Sequence, residues 1–529
     1  MNPLIQLKTT PPLLIALALL GFALLPKADA VVPAPDGGYP NFTTAEGQKA
    51  LFSLTTGSAN TAVGWFSLFS NADTSFNTAT GAGALLFNTA DENAAFGAAA
   101  LLFNTTGSDN TAVGTATLLN NTTGGGNTAN GAFALFSNTT GFQNTASGSQ
   151  ALFSNTTGSD NTACGFGTLF SNTTGFNNTA IGFEALYSNT TGNQNTANGR
   201  SALGDNTTGS DNTANGTGAL GSNTTGEFNT ASGEAALASN TEGEGNIAVG
   251  GTALSSNIIG DFNTAIGYRA LLRNTTGDEN TASGKDALFS NTTGSTNTAN
   301  GFQALNSNTQ GDGNTANGYL ALFNNTTGNG NTALGFLAGS SVSTADNVIC
   351  IRTAGANVSN SCFIGNIFNQ TSIGGIPVLV NSDNKLGTTT SSKRFKEEIR
   401  PMNQTSEALF ALKPVTFRYK KEIDPAGAPQ FGLVAEQVEK VNPDLVVRDK
   451  EGKPYTVRYD QVNAMLLNEF LKEHRKNEKQ EATIACLQRQ IEALIAEVKT
   501  MSAQIETSKF ATGRIRRGGV AANIALNNH

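Results

Sequence analysis

Apolar and polar positions recur along the first two thirds of this chain in one fixed pattern. From Thr43 to about Asp346 the unit N-T-A-x-G-x-x-A-L-x-S-N-T-T-G-x-x repeats with a period of 17. Its opening Asn falls at Asn60, Asn77, Asn93, Asn110 and onward to Asn331, and every step is 17 except the one from Asn77 to Asn93, which is 16. The third position is always Ala, and the ninth is Leu from Leu51 to Leu322. A fixed period this short predicts a solenoid in which each repeat is one coil stacked on the next. In the unit Asn178–Gln194, Ala180 and Gly182 sit two apart, on one face of a short strand. Ala185 and Leu186 open a second apolar stretch, and Asn189-Thr190-Thr191-Gly192 is turn chemistry, with Gly free to take positive φ. Stacking turns the Ala and Leu positions into continuous inner ladders. At the strand spacing of ~4.8 Å, about 18 coils make a rod of roughly 85 Å. Small Ala and Gly make each coil thin, so one coil buries little alone, and this favours three chains side by side.

After Asn331 the repeat decays. Residues 347–390 are rich in Gly, Ser and Asn, with short β-like runs such as Val378-Leu379-Val380, and read as a neck. Beyond them the pattern is mixed. Pro414 to Tyr419 predicts a strand, and Phe431 to Ala435 leads into a helix through Lys440 that Asn442-Pro443 ends. Leu445 to Arg448 and Tyr455 to Tyr459 flank Glu451-Gly452 as a hairpin. From Asp460 a long helix is expected. Ile484, Leu487, Ile491, Leu494, Val498, Met501 and Ile505 alternate three and four apart, a heptad seam sustained for three heptads. Carried backwards, the seam places Phe470 and Asn477 at a, Glu473 and Gln480 at d. Ile and Val at a with Leu and Met at d lean toward a dimer, whereas the thin coils lean toward a trimer, the reading adopted here.

Charge marks a boundary in the same place. Residues 1–390 carry 9 basic and 22 acidic side chains, a net of −13, and residues 391–529 carry 23 and 18, a net of +5. No basic stripe with interleaved aromatics accompanies that excess, so nucleic acid is not an expected partner. The N-terminus has the form of a secretory signal: Lys8, an apolar stretch from Pro11 to Pro26, and an Ala28-Asp29-Ala30 site with cleavage expected after Ala30. The expected location is therefore secreted or at the cell surface. No string of alternating ~10-residue strands follows at the C-terminus, so no outer-membrane barrel is expected. Cys350 and Cys362 flank a turn region and could pair in an oxidising compartment, with four free thiols as the open alternative. Two histidines and no CxxC spacing leave no metal site and no cofactor to expect. The NTT triplets are formal glycosylation sequons, but they recur because they are the turn. Outward Thr arrays suit ice binding poorly, because many outward positions vary. The acidic residues near the turns are too irregular for a calcium ladder. The sequence names no ligand for the rod.

The N-T-A-x-G stretches, such as Asn110 to Gly114 and Asn263 to Gly267, resemble the head repeats of trimeric surface adhesins, whose unit is shorter. That likeness implies a β-roll rod and a surface ligand or cell-envelope partner.

The opening Ser391-Ser392-Lys393-Arg394-Phe395-Lys396, the L-K-P-V-T-F-R-Y and Q-F-G-L-V-A-E-Q-V-E segments and the terminal heptads resemble the peptidase S74 family. Its members are intramolecular chaperones of phage endosialidase tailspikes, also found in tail fibres and some membrane-bound transcription factors. The resemblance implies a Ser-Lys dyad with Ser391 as nucleophile and Lys396 as base, cutting at the Thr390–Ser391 junction. Ser392 stands where the family has Asp. A serine needs a base, and with only His474 and His529 in the chain a Ser-His-Asp triad is disfavoured. Ser-Lys dyads are a known variant, provided burial depresses the lysine's pKa.

The expected fold is mostly β: a 17-residue-repeat β-solenoid (β-roll) rod, a small α+β chaperone domain and a C-terminal coiled coil, as a homotrimer. The expected boundaries are 1–30 signal peptide, 31–42 linker, 43–346 repeats, 347–390 neck, 391–465 S74-like domain, 466–508 coiled coil and 509–529 flexible tail. The expected function is a secreted fibre whose C-terminal domain assembles the trimer and then cuts itself off once, with no external substrate turned over. Rivals are an uncleaved adhesin-like fibre capped by that domain and a prophage tail fibre, the last disfavoured by the signal sequence.

Overall fold

The computed structural model describes residues 40–381 and 383–512. The signal segment and residues 513–529 lie outside the described residues. The chain divides into two compact units, with the boundary between Gln370 and Thr371.

The first unit is a parallel β-solenoid. Its twenty three-residue strands run from β1 (Thr44–Glu46) to β20 (Cys362–Ile364). Each pairs in parallel and in register with the next, so that Thr179, Ala180 and Ile181 meet Thr196, Ala197 and Asn198 one coil later. Only the T-A-x segment of each coil is strand, and the rest is turn. The alternation of the strand puts Ala inward and its neighbours outward: Ala112, Ala129, Ala146 and their equivalents are fully or almost fully buried. Ala185 and Leu186, with their equivalents, complete the apolar interior at 0% exposure.

Two of the five columns of buried side chains are polar, which the hydrophobic pattern alone does not reveal. The first-position asparagines (Asn110, Asn127, Asn144) and the twelfth-position ones (Asn121, Asn138, Asn155) are all 0% exposed. Each forms a ladder along the rod. In the twelfth-position ladder, Asn138 Nδ2 donates to Asn121 Oδ1 at 2.7 Å and to Gly141 O at 2.9 Å. In the first-position ladder, Asn127 Nδ2 donates to Asn110 Oδ1 at 3.0 Å and to Gly141 O at 2.9 Å, while the Asn127 backbone N–H donates to the same Asn110 oxygen at 3.0 Å. Both amide protons and the amide oxygen are thus used, as a buried side-chain amide requires. The sequon asparagines are therefore structural, and folded chain offers them to no modifying enzyme.

Two glycine columns keep the coils this close. A Cβ on Gly192 would lie 2.4 Å from Gly209 O and 2.5 Å from Asn189 Oδ1, and Gly182 combines φ +128 with a Cβ position 2.7 Å from Gly199 O. The coil also forces non-glycine residues into the left-handed region, as at Glu184 (φ 54), Leu186 (φ 50) and Gln194 (φ 58). Such residues persist only where the surroundings over-determine them, and here inter-coil hydrogen bonds hold each one: Glu184 N–H donates to Phe166 O at 3.0 Å and Leu186 N–H to Ala202 O at 3.0 Å.

The 16-residue coil keeps register because its turn absorbs the deletion. Asn88 Nδ2 donates to Ala90 O, two residues on, at 2.7 Å, in place of the usual carbonyl three residues on. Acidic side chains near the turns serve as backbone caps: Asp261 Oδ1 accepts from Glu244 N–H at 2.7 Å, and Asp278 Oδ1 from Asp261 N–H at 2.8 Å. Phe136, Phe153, Phe170 and Tyr187 stack at 5.0–5.1 Å, within 8° of parallel. Their faces are spent on one another.

Both asparagine ladders end together, because Val342 and Val348 take the next two places, each 0% exposed. Val348 keeps only a backbone donor, to Asn331 Oδ1 at 2.8 Å. Asn357 Oδ1 then accepts from the N–H groups of Ser343, Thr344 and Ala345, each at 2.9 Å, and closes the end of the turn. The parallel strands nonetheless continue through Ile349–Ile351 to β20 in a shortened coil that registers Ile349 with Cys362 and Cys350 with Phe363. Of the two alternatives left open for the cysteines, the structure has the free thiols. Cys350 is buried, Cys362 exposed, and both are free. Their separation is one residue short of the local register, so the alternation of the strand turns them to opposite faces.

The argument from thin coils to three chains is corrected. One chain closes its own apolar and amide interior, so the rod needs no neighbour to bury it.

The second unit is small and made of hairpins. β21 (Val378–Val380) pairs antiparallel with β22 (Leu386–Thr388), β23 (Val415–Phe417) with β24 (Gln430–Gly432), and β25 (Val446–Arg448) with β26 (Pro454–Val457). Helix α1 (Ala435–Val441) lies between the second and third pairs, and α2 (Tyr459–Thr512) ends the described chain. The core is only Val438, Leu445, Val446, Val457 and Met465 with partly buried neighbours. No described helix is long and apolar enough to cross a membrane.

Substitutions in mid-rod test the ladder. Asn189→Asp keeps size but replaces the donor aimed at Asn172 Oδ1 with an acceptor and buries a charge. The expected loss is about 3 kcal/mol or more of local stability. Hydrogen exchange should show coils around residues 172–206 opening while distant coils stay protected. Leu186→Asp should break the stack at the same place, and a far-ultraviolet spectrum dominated by helix in the rod would contradict the fold.

Candidate functional site

The chemistry expected of this chain sits at the start of its basic, mixed-pattern segment. Ser391 and Ser392 precede a single 3-10 turn, Lys393–Phe395. Phe395 N–H donates to Ser392 O and Lys396 N–H to Lys393 O, both at 3.1 Å. The Arg394 guanidinium lies over the Phe395 ring, 4.5 Å from its centroid. One turn therefore separates Ser391 from Lys396, and both residues are exposed in the single chain.

Just upstream, Thr389 lines an open cleft of about 640 Å³. The β21–β22 hairpin with Thr389 forms one side, and Arg448, Tyr455 and Arg458 from the β25–β26 hairpin and its end form the other. Arg448 is engaged there: its guanidinium pairs with Glu439 and donates to Gly452 O at 2.8 Å.

A polar clasp that sequence spacing could not reveal fixes α2 to this domain. Ser406, in the 3-10 segment Asn403–Ala411, is 0% exposed. Its hydroxyl donates to Glu469, and Asn468 Nδ2 donates to Ser406 Oγ at 2.6 Å and to Asn403 O at 3.1 Å. Lys472 Nζ reaches Glu469 at 2.7 Å and Glu407 at 3.3 Å. The partners lie more than sixty residues apart in sequence, which is why no motif signals them.

Beyond the clasp, the seam of α2 is open. Ile484, Leu487, Ile491, Leu494, Val498, Met501 and Ile505 are 51–58% exposed. Phe410, Ile423, Phe431, Tyr455 and Phe470 of the same unit are 68–83% exposed.

The clasp yields a pH prediction. Hydrogen bonds from Lys472 and then Ser406 hold the Glu469 carboxyl below its usual pKa, and Glu469 in turn raises that of Lys472. A carboxylate with a depressed folded pKa stabilises the fold above its unfolded pKa, about 4.3 for Glu, and loses that contribution as pH falls through the folded value. Protection of residues 403–411, taken as exchange relative to the intrinsic amide rate at each pH, should therefore be high near neutrality and fall below about pH 4.3. Glu469→Gln should lower that protection at neutral pH and flatten its pH dependence.

No curated protein and no solved structure matches the chain. A family model does match residues 391–447, and its description is peptidase S74, chaperone of endosialidase. The match begins at Ser391 itself, runs through the 3-10 turn, the clasp segment, β23, β24 and α1, and ends in β25, leaving β26 and α2 beyond it. The chain thus carries a peptidase S74 domain at residues 391–447, C-terminal to its β-solenoid.

Proposed function

We propose that this protein is a secreted, fibre-like surface protein whose S74 domain directs assembly of a homotrimer and then cuts itself off before Ser391. The observation that carries the reading is the contrast between the units. The rod closes its interior within one chain, whereas the second unit leaves its helix seam and several large aromatics bare. Association of three α2 seams buries what the single chain exposes, at roughly 25 cal/mol per Å² of apolar surface.

Cleavage follows assembly in this reading. Packing of copies around the 391–396 turn supplies the burial that a neutral Lys396 needs. Lys396 Nζ takes the Ser391 hydroxyl proton as Oγ attacks the Thr390 carbonyl carbon. The C–N bond breaks, the proton passes to the Ser391 amine, and Thr390 is held as an ester on Ser391 Oγ. Water then hydrolyses the ester, releasing a rod that ends at Thr390 and a fragment of residues 391–529. Each chain reacts once.

Denatured mass and N-terminal sequencing of the fragment test the chemistry. Ser391→Ala and Lys396→Ala should each leave an intact chain that still sediments as a trimer. Ile491→Asp with Leu494→Asp should give an uncut monomer with a folded rod. A wild-type chain that stays whole as a trimer would reduce the domain to a structural cap, and cutting that survives Ser391→Ala would exclude this nucleophile.

A further inference from the structure

The outward face of the solenoid sheet changes character at its C-terminal end. Along most of the rod the two outward strand positions carry Thr and a variable residue, often Asn or Ser, as in Thr196/Asn198 and Thr298/Asn300. In the last three strands, β18 (Thr332–Leu334), β19 (Ile349–Ile351) and β20, five of the six outward residues are Leu334, Ile349, Ile351, Cys362 and Ile364. Hydrogen-bonded register aligns Leu334 with Ile351 and Ile351 with Ile364. The four aliphatic side chains are 37–50% exposed, and the following Ile367 and Phe368 are themselves 62% and 87% exposed. No described segment of the chain covers this patch.

We infer that this end face is where the rods of three copies meet one another, an inference that rests on the assembly reading above. Two features select a second copy as occupant. The patch is uncharged and apolar, so it complements itself. It also lies next in the chain to residues 365–390, which tether it to the S74 domain. Once three such domains associate, tethering holds three copies of the patch at millimolar-order effective concentration, enough for a small apolar contact to form. Outward aliphatics also occur upstream, as at Ile247, Val249 and Ile266, but those coils lie much farther along the chain from the tether.

The chain's own cysteines report on it. Cys362 lies in the patch, Cys164 faces outward far up the same sheet in β8 (Thr162–Cys164), and Cys350 is buried in the solenoid interior. The experiment is maleimide labelling of the folded full chain carrying Ser391→Ala, which keeps rod and domain joined, with sedimentation run in parallel. Cys362 should label about tenfold or more slowly than Cys164, because packed interface cores exclude solvent. Ile491→Asp with Leu494→Asp should bring Cys362 up to the Cys164 rate, with unlabelled Cys350 certifying that the rod is folded. Leu334→Lys with Ile351→Lys should also open Cys362 while the trimer persists. Fast Cys362 labelling in a confirmed trimer would overturn the inference and leave the assembly reading standing. Slow labelling in the monomeric variant would mean that the chain covers its own patch, which also overturns it. A wild-type chain that sediments as a monomer would remove both.

Discussion

A buried side-chain amide that must satisfy two donors and an acceptor governs this molecule. At the first and twelfth positions of each coil an asparagine donates to the asparagine below it and to a glycine carbonyl, and its oxygen accepts from the coil above. Asp lacks the donor, and a hydrophobe ends the side-chain ladder, as Val342 and Val348 do at the end of the rod. The glycine columns follow from the same constraint, since the carbonyls that receive the amides must approach within reach and a Cβ would occupy that space. The left-handed leucines follow too: the coil bends sharply enough to bring both ladders inside, and the inter-coil bonds hold the strained residues in place.

From this comes the division of labour between the units. A rod closed on its own amides and small apolar side chains is indifferent to oligomeric state. The second unit has a small core, a long helix held at its base by the Ser406–Glu469–Lys472 clasp, and an open apolar seam above it. The Ser391–Lys396 turn opens the S74 domain and is exposed in the single chain. The proposed order, in which assembly precedes cutting, follows from that exposure.

Much of this was legible in the residues. Period 17 with constant Ala and Leu announces the solenoid, and three-four spacing from Ile484 announces the seam. The S74 opening was legible as a motif. The amide ladders were not read, although a signal was present: positions one and twelve are Asn in every complete repeat, whereas a simple turn also accepts Asp, Ser or Gly. The residues left the cysteine pairing open, because the shortening of the last coil, which puts Cys350 and Cys362 out of phase, has no sequence signal. The clasp was invisible because Ser406 and Glu469 meet only through the fold. The thin-coil argument for a trimer failed because it counted apolar side chains and omitted the buried amides.

The account depends most directly on those amides, and nuclear magnetic resonance of the side-chain NH₂ groups of asparagine can observe them. In folded protein the first- and twelfth-position carboxamides should exchange with solvent far more slowly than outward asparagines such as Asn130 and Asn300, in trimer and monomeric variant alike. Uniformly fast exchange of all asparagine side chains in a folded rod would contradict the ladders and with them the autonomy of the single chain.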